Sequence, residues 1–207
     1  MAVSFYGNNL LLSVAFFFIF LAWLPAQNLL SSLQADLGYD ALCACYVTFG
    51  LGSIAAPRIV YTLQPKASLF WASIPYGIFM IVMVMIEYNN DWPGSVQWLL
   101  LIAAASLLGF AGGVLWTAQG QYTTLCARYH AVTHTENTES GTLSAFNGLL
   151  FSIFQFAAVC SNFFASVVLQ TGVAPYKLFL MFMVVSFVGT ALMRGLYPIS
   201  TRISGVH

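Results

Sequence analysis

The sequence carries very little charge. Only 6% of its 207 residues are Asp, Glu, Lys or Arg, against about 25% in an ordinary soluble domain. Six basic and six acidic side chains give a formal net charge of zero, so the chain lacks the basic footprint of a nucleic-acid-binding protein. Because 60% of the residues are hydrophobic, the polar surface is too small for a soluble fold, and a disordered chain is excluded as well.

The sequence also lacks the usual signatures of a catalytic or metal site. His130 and His134 are four residues apart and Glu136 follows, but no third strong ligand has matching spacing, so we expect a solvated loop and no metal. No nucleophile and base stand together, so we predict that the chain is not an enzyme and holds no cofactor. Free, buried thiols are expected at all four cysteines, which have no metal-ligand spacing: Cys43, Cys45, Cys126 and Cys160.

What the sequence has instead is long apolar runs between the few charges. About 20 apolar residues cross a hydrocarbon core of about 30 Å, and the runs show no alternation typical of a barrel strand. We therefore predict an all-α integral membrane protein, with one domain over residues 1–207 and six transmembrane helices. The predicted helices cover about 9–31, 40–62, 67–88, 96–125, 142–170 and 176–196.

Lysine and arginine are placed unevenly about these helices. Only Lys177 falls on one side of the membrane, and the other five basic residues fall on the opposite side: Arg58, Lys66, Arg128, Arg194 and Arg202. Basic loops stay on the cytoplasmic side, so we predict that both termini face the cytoplasm, stroma or matrix. The chain is then a multi-pass protein of the plasma membrane or of an organelle.

Neutral polar side chains concentrate in the first, fourth and fifth helices, whereas the third and sixth are nearly bare. Asn147, Gln155 and Asn162 are eight and seven residues apart, so they share one helical face. Amides in hydrocarbon need partners. We expect either a polar seam between helices or a polar cavity, formed by Gln27, Asn28, Trp116, Gln119, Asn147, Gln155 and Asn162.

Small residues indicate how the helices pack. A stripe of them recurs every four residues along the fourth helix and lets two backbones approach closely: Ala105, Gly109, Gly113 and Thr117. The pair Gly50 and Gly52 also predicts a close helix contact. A faint repeat links Trp23-Leu-Pro-Ala-Gln27 with Trp116-Thr-Ala-Gln119. Their helices run in opposite directions, as in an inverted repeat of two three-helix units.

Four segments, in order over most of residues 21–170, carry a family resemblance. They are Ala26-Gln-Asn-Leu-Leu-Ser-Ser32 with Leu37-Gly38, Pro57-Arg-Ile-Val with Lys66, Leu108-Gly-Phe-Ala-Gly-Gly-Val-Leu-Trp-Thr-Ala-Gln-Gly-Gln-Tyr122, and Asn147-Gly-Leu-Leu-Phe-Ser-Ile-Phe-Gln155 through Ser161-Asn162. The third segment is the most specific. Together they resemble the N-terminal half of the major facilitator fold and, within it, the Unc-ninety-three-like family.

The resemblance implies a half bundle in which the first, second, fourth and fifth helices face a central cavity and the third and sixth are peripheral. It also implies a role as an auxiliary or trafficking partner of channels and receptors. Two departures stand out. A complete member has about twelve helices in two halves, and the motif after the second helix keeps Gly50 and Arg58 without its usual Asp.

The sequence is compatible with two functions. The first is a non-catalytic accessory, scaffold or regulatory subunit of a larger membrane protein complex, favoured by the absence of the intramembrane charges that proton-coupled transporters use. The alternative is a facilitator-type transporter of a neutral or weakly polar solute, as part of a twelve-helix chain or as a dimer of halves. Lipid or pigment could bind at the periphery. For the accessory role, we expect partner subunits to contact the third and sixth helices through Phe79, Met83, Phe179 and Phe182.

Overall fold

Six long helices make up the computed structural model, which describes residues 4–33, 35–89, 91–133 and 138–199. Each is long and apolar enough to cross a membrane, and these ranges contain no strand. The chain is therefore an integral, multi-pass membrane protein with the six predicted spans. The helices are α1 (Phe5–Leu33), α2 (Ala35–Leu63), α3 (Pro65–Tyr88), α4 (Gly94–Thr133), α5 (Glu139–Gln170) and α6 (Pro175–Arg194).

The fourth helix is longer than the sequence predicts. A polar cluster over residues 119–124 suggests an end near 125, yet α4 continues to Thr133. The polar side chains bond within the helix: Thr124 Oγ1 donates to the Gly120 carbonyl at 2.8 Å, and Gln119 Nε2 donates to Thr123 Oγ1 at 3.0 Å. At about 1.5 Å per residue the helix is about 60 Å long, about twice the thickness of the hydrocarbon core.

The helix contacts have an internal symmetry. α1 packs mainly on α5 and α6, α4 packs mainly on α2 and α3, and α3 packs on α6. If α1, α2 and α3 are exchanged for α4, α5 and α6, the α1–α5 contact becomes the α4–α2 contact and the α1–α6 contact becomes the α4–α3 contact. The α3–α6 contact stays the same. This is the arrangement expected of two equivalent three-helix units. The two tryptophans of the faint repeat differ, however: Trp23 packs on Tyr76 and Phe79 of α3, whereas Trp116 packs on α1 and α5.

The small-residue stripe brings α2 and α4 into backbone contact. A Cβ added at Gly109 would overlap the Cys45 carbonyl, and one added at Gly113 would overlap the backbone of α2 at Ser53. Ala105 is also buried, whereas Thr117 Oγ1 donates to the Gly113 carbonyl of its own helix at 2.9 Å. These contacts fix the part of α2 that faces the centre of the bundle.

Of the glycine pair in α2, only Gly52 makes a close helix contact. A Cβ there would overlap the Phe110 carbonyl of α4, whereas nothing lies within 4 Å of a Cβ added at Gly50. The close approach therefore takes place on one face of α2, and Gly50 lies on the exposed face.

α3 and α6 pack side by side and bury several of their large apolar side chains. The prediction that four of these face a partner is wrong, because each is at most 1% exposed: Phe79, Met83, Phe179 and Phe182. Spacings of four and three put each pair on one helical face, and that face meets the bundle. The Phe79 ring, for example, lies 5.3 Å from the Trp23 ring of α1. The outward faces carry residues such as Trp71 and Val184 instead.

A polar clasp joins distant parts of the chain at one end of the bundle. Tyr122 Oη of α4 donates to the Tyr197 carbonyl at 2.9 Å, and the Tyr197 amide donates to Asn8 Oδ1 at 2.9 Å. The start of α1 and the segment after α6 are thereby held against α4.

Candidate functional site

The predicted polar residues do not form one continuous seam. Of the six amides, the structure brings two together: Asn28 Nδ2 of α1 donates to Asn162 Oδ1 of α5 at 2.9 Å. Asn162 Nδ2 also donates to the Ala158 carbonyl at 2.7 Å. Gln119 is buried and bonds within α4. The other three amides lie apart from this pair, at Gln27, Asn147 and Gln155.

The asparagine pair forms part of a groove between α1 and α5. The groove has a volume of about 440 Å³ and also includes Pro25, Ser166 and Gln170. Gln170 Nε2 donates to Ser166 Oγ at 3.2 Å. Asn28 and Asn162 are both exposed, so the pair joins two helices at an open edge and not in a closed core.

A second cavity, of about 330 Å³, lies in the gap between α2 and α5, which make no contact with each other in the described ranges. Its inner wall comes from α1 and α4. Trp116 is one of its lining residues, and the ring centroids of Phe20 and Phe154 lie 5.3 Å and 5.5 Å from that of Trp116. The lining is mainly aromatic and includes Phe20, Trp23, Tyr46, Phe49, Tyr76, Trp116 and Phe154.

Several polar groups of this aromatic cavity form no hydrogen bond with the described residues. Gln27, Tyr46, Tyr76 and the Trp116 indole nitrogen line it, and none makes a side-chain hydrogen bond within the described part of the chain. Tyr76 is only 2% exposed, and its hydroxyl lies 3.2 Å from the place a Cβ would take at Gly112. Because these groups line an open cavity, a polar molecule bound there would find them available for hydrogen bonds.

Sequence reasoning identified Gln27 and Trp116 but missed Phe20, Tyr46 and Tyr76. Aromatic residues in an apolar helix usually belong to the core, so their types gave no reason to single them out. The one available signal was a tyrosine hydroxyl in the middle of α3, whose other central residues are almost all apolar.

Of the four cysteines and His130, only Cys45 lines either cavity. Cys45 lines the aromatic cavity and is buried, as is Cys126. The expectation of a buried thiol is wrong for Cys43, which is exposed, and Cys160 is only partly buried. His130 lies on α4, 5.6 Å from the Phe146 ring, and not in a loop.

His134 and Glu136, which follow His130 by four and six residues in the sequence, lie outside the described residues. Within those residues, no three His, Cys, Asp or Glu side chains stand close enough together to hold a metal ion. The polar side chains that line the two cavities are amides, hydroxyls, indoles and the Cys45 thiol.

Comparison with known proteins places the chain in a family. Residues 30–198 match the family model described as "Ion channel regulatory protein UNC-93". UNC93-like protein 3 of Arabidopsis thaliana is 32% identical over 162 residues, which cover 78% of this chain and 32% of that protein. Protein unc-93 homolog A of Bos taurus is 31% identical over 163 residues, covering 78% and 34%. The putative potassium channel regulatory protein unc-93 of Caenorhabditis elegans is 29% identical over 164 residues, covering 77% and 21%.

The matched region includes the end of α1 and all of α2 to α6, so it contains Asn162 and the cavity residues of α2 to α5, whereas Asn28 and the cavity residues of α1 precede it. The chain spans about a third or less of the length of these relatives. The resemblance seen in the four sequence segments is confirmed over most of the chain. This chain belongs to the UNC-93 family, as a six-helix protein of the major facilitator type.

Proposed function

We propose that the chain is a non-catalytic accessory or regulatory component of a larger membrane protein complex. The family description and the name of the Caenorhabditis elegans relative point to channels as the class of partner. The observation that supports this proposal most directly is an uncovered polar side chain, Gln155, in the middle of α5.

Gln155 is the seventeenth residue of a 32-residue helix, so it lies at about the membrane midplane. Its side chain is exposed and makes no hydrogen bond within the described part of the chain. Lipid tails offer no partner for an amide. Polar groups of another protein segment do, and hydrogen bonds of this kind hold membrane helices together.

The surface around Gln155 supports the same conclusion. α2 and α5 are the least buried helices: 22% and 17% of their most apolar windows are buried, against 39% or more in the other four described helices. Large apolar side chains project from both, including Ile54 of α2 and Phe156, Val159 and Phe163 of α5. We propose that protein, and not lipid, covers this face, which we call the α2–α5 face.

Photo-crosslinking in native membranes tests the proposal. A benzoylphenylalanine at Val159 on the α2–α5 face should give a protein adduct of defined mass. The matched control is the same group at Val184, which projects from α6 and is similarly exposed; it should give lipid adducts only. If Val159 also gives only lipid adducts, the proposed docking face is wrong.

A substitution separates a partner contact from a lipid contact at Gln155. If the amide bonds to a partner, Gln155→Leu should lower the yield of the crosslinked complex. If the amide faces lipid, the complex should be recovered unchanged. The isolated chain has no partner in either case, so the stability of the isolated variant serves as the control for folding.

The aromatic cavity favours a second candidate function, which is transport of a neutral solute. Among the described residues that line it there is no Asp, Glu, Lys or Arg, so a charged solute would lose its hydration without gaining a counter-ion from them. A neutral aromatic molecule could stack on Trp116 and bond to Gln27 or Tyr76. The chain would then act with a second half that closes the gap between α2 and α5.

Uptake of 2-naphthol into proteoliposomes, compared with its saturated analogue decahydro-2-naphthol, tests this candidate. Transport through the cavity predicts saturable uptake of the aromatic compound, and Tyr76→Phe should weaken it about three- to tenfold by removing one hydrogen bond. Tyr88→Phe, at the far end of α3, is the matched control. Equal, unsaturable entry of both compounds would contradict transport.

A further inference from the structure

A third pocket lies at one end of the bundle, apart from the amides and the aromatic cavity. It has a volume of about 550 Å³ and lies where the end of α2, the start of α3 and the end of α6 meet. Lys66 and Arg194 both line it. These are two of only six basic residues in the whole chain, and their like charges repel unless an anion lies between or beside them.

Neither cation has an acidic partner in the described part of the chain. The ion pair found there joins Arg128 to Glu139 at 3.7 Å, on other helix ends. The described residues that line the pocket include no carboxylate. The Arg194 guanidinium lies over the Phe70 ring, 5.6 Å from its centroid, a contact that positions the group without neutralising it.

An apolar groove continues from this pocket along α3. Leu63 and Trp71 line both the pocket and the groove. The groove lies between α2, α3 and α4 and reaches Pro75 and Val114. Lys66 and Pro75 are nine residues apart on α3, so the groove extends about 14 Å from the charged pocket toward the membrane centre.

We propose that the pocket and groove together bind one anionic phospholipid. The headgroup phosphate contacts Lys66 and Arg194, and one acyl chain lies in the groove against Trp71. Arginine suits phosphate because it donates two parallel hydrogen bonds, and basic residues next to the membrane attract anionic lipids. A free phosphate ion would use the two cations but would leave the groove empty, so the groove favours a lipid. This site does not depend on the proposed accessory role.

Titration of the purified chain with dioleoylphosphatidylglycerol, followed by native mass spectrometry, tests the site. Each lost charge should weaken binding about fivefold, and the pair Lys66→Gln with Arg194→Gln about thirtyfold. The matched control, Arg128→Gln with Lys177→Gln, removes the same charge elsewhere and should leave the affinity unchanged. An unchanged thermal midpoint shows that the variants fold; if the double variant does not fold, the two single variants decide.

Three comparisons decide between the possible ligands. Dioleoylphosphatidylcholine should bind far more weakly than the anionic lipid; equal binding would overturn the role of the two cations. Glycerol phosphate should fail to displace the bound lipid; displacement would mean that the site takes a free phosphate. A lipid brominated along its acyl chain should quench part of the tryptophan fluorescence at saturation, and Trp71→Phe should remove that part. If the quenching persists in Trp71→Phe, the acyl chain does not lie in the groove.

Discussion

At the scale of single residues, two glycines of α4 differ in whether there is room for a side chain. A Cβ at Gly113 would overlap the backbone of α2, whereas nothing lies within 4 Å of a Cβ at Gly120. Backbone atoms cannot rotate away as a flexible side chain can, so a methyl group at Gly113 must push the two helices apart.

We therefore expect Gly113→Ala to lower the free energy of unfolding by about 1–3 kcal/mol. Gly120→Ala should leave it unchanged or raise it by up to about 1 kcal/mol, because alanine favours the helix more than glycine does. Unfolding by sodium dodecyl sulfate in bicelles measures both. Equal effects at the two positions would show that α2 and α4 do not touch at Gly113.

The bond between Asn28 and Asn162 allows a direct measurement of one interhelical hydrogen bond. A double-mutant cycle with Asn28→Leu and Asn162→Leu should give a coupling energy of about 0.6 kcal/mol, and not more than about 1.7 kcal/mol. The cycle of Asn28→Leu with Gln155→Leu is the control, since these two amides are not bonded, and its coupling should be close to zero. No coupling in the first cycle would mean that the asparagines only face each other across an open groove.

At the scale of helices, the sequence predicts where they lie better than it predicts which way they face. Charges at the ends of apolar runs mark the spans, and all six were found. α3 and α6, however, carry few polar side chains, and the small hydroxyls that they bury, such as Ser73 of α3 and Ser186 of α6, are too weak a signal to show which side meets the bundle. That is why Phe79 and Phe182 were assigned to the outer surface although both are buried.

The small-residue stripe is more informative, because glycine in a membrane helix lets the backbone of another helix approach closely. Gly109 and Gly113 indicate close packing from the sequence alone, but they do not identify α2 as the partner. The length of α4 was missed for a different reason. Thr117 and Thr124 suggest the end of a span, yet each bonds to its own helix, and this lets the helix continue through a polar segment.

The inward orientation of α3 predicts a large difference between two phenylalanines. Phe79 is fully buried, whereas Phe163 of α5 is 71% exposed. The unfolded helices remain in lipid, so the hydrophobic transfer term largely cancels and the cost of the cavity remains. We expect Phe79→Ala to lower the free energy of unfolding by about 2 kcal/mol. Phe163→Ala in the isolated chain should have little effect, and a comparable loss at both positions would contradict the assigned faces.

At the scale of the whole molecule, the orientation in the membrane follows from where the cations lie. Lys66 and Arg194 share one pocket, so the start of α3 and the end of α6 are at the same end of the bundle. Because six spans alternate in direction, Arg128 and the start of α5 belong to that end too. Lys177 lies at the opposite end. The excess of basic residues predicts that the first end faces the cytoplasm, stroma or matrix.

Two exposed serines at the helix starts test this orientation. Ser140 is the second residue of α5, at the basic end, and Ser95 is the second residue of α4, at the other end. In a background of Cys43→Ser and Cys160→Ser, a membrane-impermeant maleimide applied to sealed, right-side-out vesicles should label Ser95→Cys at once. It should label Ser140→Cys only after the vesicles are opened. The reverse order would mean that the five-to-one bias of lysine and arginine does not set the topology, and that the anionic lipid pocket lies in the opposite leaflet.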